Sequence, residues 1–166
     1  KRLLALDALP ERYAILEPSA DLRERQRERL ARALIPPVFE LVDWLDRPFE
    51  DDWNGVLFAN EVIDALPTPR FTLRDGEVFE EGVALDAEGR FVRSDRPADA
   101  LLAAAVRHVE RYLGQSFPDG YRSELLPQLP YWIQAVMGGL DRGAMLFADY
   151  GYTRREYYQP DRDTGT

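Results

Sequence analysis

Short apolar runs that stop abruptly at polar residues recur along this chain. Tyr13-Ala14-Ile15-Leu16 is closed by Glu17-Pro18-Ser19. Val56-Leu57-Phe58-Ala59 follows Gly55 and ends in Asn60-Glu61, with Asp64 shortly after. Ala144 to Ala148 is closed by Asp149-Tyr150-Gly151-Tyr152. Runs of this length, bounded by turn residues, predict buried strands. Proline disfavours the helical region for the residue before it, so Glu17 is held extended at its strand end. Val38 to Trp44 predicts a further strand, ending Val42-Asp43-Trp44.

Helical periodicity fills much of the rest. Ala20 to Ile35 predicts a helix with Ser19 as N-cap and Asp21 in its first turn. Leu22, Gln26, Leu30 and Leu34 fall on one stripe, and the intervening arginines and glutamates form a solvated outer face. Pro36-Pro37 stops this helix. A helical stretch is expected after Glu61. Asp95-Arg96-Pro97 is read as opening another helix. Its apolar face is Leu102, Ala105, Val106, Val109, Tyr112 and Leu113, and Gly114 closes it. Pro130 to Leu140 predicts the last helix.

Residues 69–94 follow a different pattern. Phe71-Thr72-Leu73 and Val78-Phe79 flank Asp75-Gly76, a favoured two-residue hairpin turn. Val83 to Leu85 and Arg90 to Val92 form a second pair around Ala87-Glu88-Gly89. The expected fold class is α/β, one domain over residues 1–166, with 69–94 as an antiparallel β insertion on its surface. The tail from Arg154 is polar and aromatic, with no clear element.

Composition narrows the chemistry. The 166 residues are 45% hydrophobic and 31% charged, as in an ordinary globular domain. A net charge of −9 disfavours a general nucleic-acid binder, which needs basic surface, and suits a cationic partner such as an arginine-bearing protein. Cysteine is absent, which excludes disulfides, thiol catalysis and thiolate metal sites. His108 is the single histidine, so no His/Cys zinc site is available and no metal is expected. It lies within a predicted helix and reads as a surface or structural residue. No apolar run approaches the ~20 residues of a membrane span, and no signal peptide is visible; a cytoplasmic location is expected. Arginine greatly outnumbers lysine, which points to a GC-rich, bacterial genome.

Four predicted strands end in polar or acidic residues: Glu17, Asp43, Asn60-Glu61 and Asp149. In a parallel sheet such ends line one edge, where open α/β folds bind ligands. A carboxylate there accepts two hydrogen bonds from a ribose diol, and Glu17 is best placed for it. Asp43 or Trp44 would meet a purine by hydrogen bond or stacking. Solvent exposure explains any one of these residues, but four together favour a nucleoside-containing ligand.

YAILEPSADLRERQRERL, GVLFANEVIDALP and GAMLFADYGYTRREYY, with the closing Gly165-Thr166, resemble the MidA-like family of class I S-adenosylmethionine-dependent methyltransferases. That family includes the mitochondrial complex I assembly factor that methylates an arginine on a core subunit. The resemblance implies a Rossmann-like core with S-adenosylmethionine as cofactor and protein arginine N-methylation as activity. It gives Glu17 the ribose-gripping role and places Asp43 and Trp44 in the adenine region. Asn60 and Glu61 fall beside the methionine end and the transfer site. Asp149, Tyr150 and Tyr152 would line the acceptor side. Glu61 is the first choice to orient the guanidinium fork, and Asp64 the reserve.

The family's first strand and glycine-rich turn have no counterpart here: no GxGxxG-like segment is present. The core is therefore expected to be incomplete, an internal portion of a longer enzyme with a gap mid-sheet. The alternative reading, from another class, is a non-catalytic binding or assembly module on a methyltransferase-like scaffold. A different nucleotide-using enzyme is disfavoured by the lack of a phosphate loop. Oligomeric state is left open, with a homo-oligomer allowed.

Overall fold

The computed structural model describes residues 2–162. In chain order the elements are α1 (Arg2–Ala5), β1 (Tyr13–Leu16), α2 (Ala20–Ala33), α3 (Pro36–Phe39), β2 (Val42–Leu45), β3 (Asp52–Asn60) and β4 (Arg70–Arg74). They continue as β5 (Glu77–Leu85), β6 (Phe91–Pro97), α4 (Ala100–Leu113), β7 (Arg122–Glu124), α5 (Leu129–Met137), β8 (Gly139–Ala148) and α6 (Arg154–Tyr157). The strands form three sheets: β1 with β2, β3 with β8, and a four-stranded sheet in the order β6-β5-β4-β7. The chain divides into two compact units, one reaching Gly55 and including Gln134–Gly143, the other made of Val56–Ile133 and the segment from Ala144 onward.

In the first unit β1 and β2 are parallel, with Tyr13 opposite Val42 and Leu16 opposite Leu45. The ladder runs one step further, where Glu17 N–H donates to the Leu45 carbonyl at 3.1 Å. A parallel pair needs a crossover, and α2 supplies it. Ser19 caps α2 by accepting from the Leu22 N–H at 3.3 Å. The helix stops at Ala33, two residues short of the predicted end, because Leu34 is already extended. The strand expected from Val38 begins only at Val42. Pro36 and Pro37 stand at the first helical positions, where a fixed φ and a missing N–H suit a helix start, and they open α3.

Glycines let β8 approach β3 closely. A Cβ on Gly139 would stand 2.7 Å from Asp52 Oδ1 and 2.8 Å from the Asp51 carbonyl oxygen. A Cβ on Gly143 would collide with the Gly55 carbonyl. Gly139 against Asp52 and Gly143 against Gly55 means that the two strands run the same way. Trp53 Nε1 donates to the Met137 carbonyl at 3.1 Å, fixing the end of α5 in the same unit.

The second unit holds the core. Phe71, Leu73 and Val78 from the four-stranded sheet pack with Leu102, Val106 and Val109 of α4, and Phe117, Tyr121 and Tyr158 complete the cluster. Asp99 caps α4 by accepting from Leu102 N–H at 2.7 Å, and Gly114 ends it in a left-handed conformation with φ 74°. The Asp75-Gly76 hairpin forms as expected, with Arg74 opposite Glu77. The antiparallel pairing expected within residues 69–94 forms, and its sheet supplies Phe71, Leu73 and Val78 to the core of this unit. Two expectations are corrected here. Asp95-Arg96-Pro97 end β6 instead of opening a helix, because their partners on β5 continue the antiparallel ladder to Phe79 opposite Pro97. The segment after Glu61 is a series of turns without a helix, closed by the Leu66 N–H donating to the Ile63 carbonyl at 3.1 Å.

The strands predicted as buried are largely uncovered. Val56 and Phe58 on β3 are 66% and 65% exposed, and Tyr13 on β1 is 53% exposed. The apolar runs do form strands, but no described element covers these side chains. His108 is on the exposed side of α4, as expected. Four elements were not anticipated: α1, α3, β7, and α6 with its reciprocal Thr153–Glu156 cap. The closing Gly165-Thr166 lies outside the described residues.

Candidate functional site

The first group of predicted site residues stands at the carboxyl ends of β1 and β2. Glu17 is the residue just past β1, half-buried, with its backbone held by the sheet. Its Oε1 accepts from Ser19 N–H at 2.9 Å and its Oε2 from Gln26 Nε2 at 3.4 Å. Arg23 donates to the Glu17 carbonyl at 2.8 Å, so helix α2 grips both ends of the residue. A carboxylate offers about four lone-pair sites, so two remain for a diol. Trp44, on β2, is half-buried, and its indole N–H donates to Gln26 Oε1 at 3.0 Å. The Arg27 guanidinium lies 4.8 Å from the Trp44 ring centroid. Asp43 points elsewhere: it is exposed and paired with Arg12 at 2.6 Å. Glu17 and Trp44 are thus brought together through Gln26, whereas Asp43 is drawn into an ion pair apart from them.

The second group stands at the ends of β3 and β8. Glu61 N–H donates to the Ala148 carbonyl at 2.8 Å, carrying the pairing one residue past β3. Glu61 has φ 51°, a left-handed conformation that costs a non-glycine residue about 1 kcal/mol. Such local strain is often concentrated at functional sites. The Tyr150 hydroxyl donates to Glu61 Oε1 at 3.0 Å. Asp149 Oδ2 accepts from the N–H groups of Ile63 at 2.8 Å and Asp64 at 3.2 Å, and its Oδ1 from Tyr150 N–H at 2.8 Å. The loop after β3 and the end of β8 are therefore stitched together by one carboxylate and one phenol. Asn60 is exposed at the end of β3, and Asp64 presents an exposed carboxylate on the stitched loop. The Tyr152 ring is covered by the Arg162 guanidinium at 4.2 Å and lies 6.4 Å from the Tyr157 ring.

Electrostatics follow this wiring. Partial loss of water raises the Asp149 carboxyl, but the N–H donors of Asp64, Tyr150, Ile63 and Val62 outweigh it and hold the group below its usual range. The Glu61 carboxylate pushes the Tyr150 phenol up, with partial desolvation and the charges of Asp64 and Asp149 adding to it. The phenol is therefore a retained donor and Asp149 a retained acceptor near neutral pH. No group of three or more His, Cys, Asp or Glu side chains that could hold a metal occurs among the described residues. No helix among them is long and apolar enough to cross a membrane.

Sequence reasoning missed Gln26 as a site residue. Its signal was present, since it is the one amide on a stripe otherwise made of leucines. It also missed that Asp149 serves its own backbone neighbourhood, because those partners are 85 and 86 positions away in the chain.

Each unit thus carries its own polar strand ends, an acid and an indole in the first and a strained acid in the second, and strand ends of this kind are where open α/β folds bind ligands. No curated protein matches the chain. Among solved structures, a protein from Burkholderia thailandensis described as a "likely methyl transferase", bound to S-adenosylhomocysteine, is 37% identical with a TM-score of 0.82. The match covers 99% of this chain and 41% of that one. An uncharacterized protein from Burkholderia thailandensis, in a native crystal structure, gives the same identity and TM-score over 99% of this chain and 42% of its own. The chain thus spans about two fifths of the length of these structures. A family model described as "Putative S-adenosyl-L-methionine-dependent methyltransferase" matches residues 3–166, nearly the whole sequence. The chain belongs to this S-adenosyl-L-methionine-dependent methyltransferase family.

Proposed function

We propose that this chain carries part of the active site of an S-adenosylmethionine-dependent protein methyltransferase whose acceptor is an arginine side chain. The observation that carries the reading is the carboxylate of Glu61, exposed, backed by the Tyr150 hydroxyl on Oε1 and set on a strained backbone at a strand end. Family membership and the S-adenosylhomocysteine bound to the Burkholderia protein support the cofactor.

The residues present fit the nucleoside part of that cofactor. Glu17 retains acceptor capacity for ribose hydroxyls, and Trp44 offers a half-buried indole face for adenine. The cofactor supplies an electrophilic methyl group on a sulfonium. The chain's own task is to hold the acceptor. Glu61 takes two N–H donors of the guanidinium fork, which fixes its plane and its charge. On transfer, the S–CH3 bond breaks and an N–CH3 bond forms; the proton shed by the nitrogen passes to the Glu61 carboxylate or to water. Tyr150 keeps Glu61 oriented, and Asp64 adds negative charge beside it. A net charge of −9 favours a cationic acceptor over an anionic one.

The test is transfer of labelled methyl from S-adenosylmethionine to arginine-bearing peptides, with lysine-substituted peptides alongside. Arginine-dependent labelling that disappears in Glu61→Gln, with S-adenosylhomocysteine binding kept, is the expected result. Labelling of lysine peptides instead would overturn the acceptor class. Unchanged biological function in Glu61→Gln would favour the assembly-module reading.

A further inference from the structure

We infer that Gln26 is a positioning residue for the nucleoside half of the cofactor site, joining the ribose-binding acid to the adenine-side indole. The inference rests on the reading of Glu17 and Trp44 given above and goes beyond it. Gln26 lies midway along α2, on the stripe that faces β1 and β2, where its neighbours Leu22, Leu30 and Leu34 are apolar. A half-buried amide on such a stripe loses water and must regain hydrogen bonds. It does so on both sides: its Nε2 donates to Glu17 Oε2 at 3.4 Å and its Oε1 accepts from Trp44 Nε1 at 3.0 Å. An amide donates to a carboxylate and accepts from an indole in a single plane without carrying a charge. A carboxylate in its place would lose the donor, and an aliphatic chain would lose both.

The bridge fixes two orientations at once. Glu17 is free to turn about its side-chain torsions unless its second oxygen is held, and Ser19 N–H holds only the first, at 2.9 Å. Trp44 is held from one face by the Arg27 guanidinium at 4.8 Å, and the edge contact to Gln26 fixes its rotation in plane. Gln26 itself stays within α2, so the helix that supplies the crossover also sets the site. Its role is exerted through Glu17 and Trp44, without contact to the reacting atoms.

The experiment is calorimetric titration of S-adenosylhomocysteine into the full chain and its variants, over a range of pH. Gln26→Leu is expected to bind about tenfold more weakly, since hydrogen bonds to a charged group and to an indole are both lost. Gln26→Glu retains the acceptor for Trp44 but sets a second carboxylate against Glu17. Its affinity should be poor at pH 8 and recover as the pH falls toward about 5, where one of the two carboxyls regains a proton and donates to the other. A purely structural role would give no such pH profile. Steady-state kinetics should place the defect in KM for S-adenosylmethionine with kcat little changed. Glu17→Gln separates the two readings. If it binds as wild type, the assignment of ribose to Glu17 fails. If it binds weakly while Gln26→Leu binds as wild type, or if Gln26→Glu shows no recovery at low pH, the role of Gln26 is overturned and the site reading stands.

Discussion

Tyr150 donates its phenolic hydrogen to Glu61 across 89 positions of sequence, at 3.0 Å. Both residues are exposed, so the bond is not an incidental product of burial. Removing the hydroxyl in Tyr150→Phe leaves the ring and frees the carboxylate to rotate. Solvent competes for this exposed bond, so the loss is modest and a fall in kcat on the order of tenfold is expected. Thermal stability should hardly move. Because Glu61 raises the phenol above its usual value near 10, the donor persists across the neutral and mildly alkaline range. Wild-type activity should therefore show no loss from Tyr150 ionisation below about pH 10. Methyl-transfer rates at several pH values check both statements.

Asp149→Asn tests the stitch between the two strand ends. The wild-type carboxyl is held below its usual range in the folded chain by backbone N–H donors. A depressed folded value contributes stability that is present above the unfolded carboxyl value and is lost as pH falls through the folded one. The difference in melting temperature between wild type and Asp149→Asn should thus be greatest near neutral pH and shrink under acid, below about pH 4. A difference independent of pH would mean that the amide replaces the carboxylate's role by shape alone.

Much of this arrangement is legible in the sequence, because β1, β3 and β8 each announce themselves as an apolar run cut off by a polar residue. Ser19 and Gly114 were legible for the same reason: cap positions carry their own side-chain chemistry. What escaped depends on partners distant in sequence. The prolines at Pro36-Pro37 stop one helix and also open the next, and local reading saw only the stop. β7 is Arg-Ser-Glu, with no apolar alternation; it is a strand because β4 offers it an edge. The left-handed turn at Glu61 has no sequence signature, since neither glycine nor asparagine occupies the position. Asp43 looked equivalent to Glu17 at its strand end, but β2 continues to Leu45 and the register sets Asp43 beside Ala14, on the face opposite to Trp44, where Arg12 pairs with it.

Gly139 and Gly151 give a paired test of close packing. A Cβ at Gly139 meets Asp52 Oδ1 at 2.7 Å and the Asp52 Cα at 2.9 Å, whereas at Gly151 it meets nothing within 4 Å. Backbone atoms cannot rotate away, so Gly139→Ala must displace one strand. A loss of roughly 1–3 kcal/mol is expected for such overpacking, against about zero for Gly151→Ala. Denaturant melts of the two variants check the contrast; similar midpoints would show that β8 slides at little cost.

Glu81 supports the last prediction, because its carboxylate is almost fully buried and receives three guanidinium groups. Arg70 reaches it at 3.1 Å and Arg93 at 3.5 Å, with Arg122 in close contact on the same oxygen as Arg93. The side chains of the three arginines are 40%, 55% and 25% exposed, so each keeps part of its hydration. Removing any one arginine leaves the buried acid with two partners, and a cost below about 1 kcal/mol is expected for Arg93→Ala, the most exposed of them. Removing the acid is different in kind. Glu81→Ala leaves three like charges converging on an apolar gap, and about 2 kcal/mol should be lost. The effects should also fail to add: Arg93→Ala made in the Glu81→Ala background should be neutral or stabilising, since it relieves repulsion. A double-mutant cycle by chemical denaturation measures this directly. Additive losses would mean that the arginines stabilise the sheet through their aliphatic stems, with the carboxylate incidental.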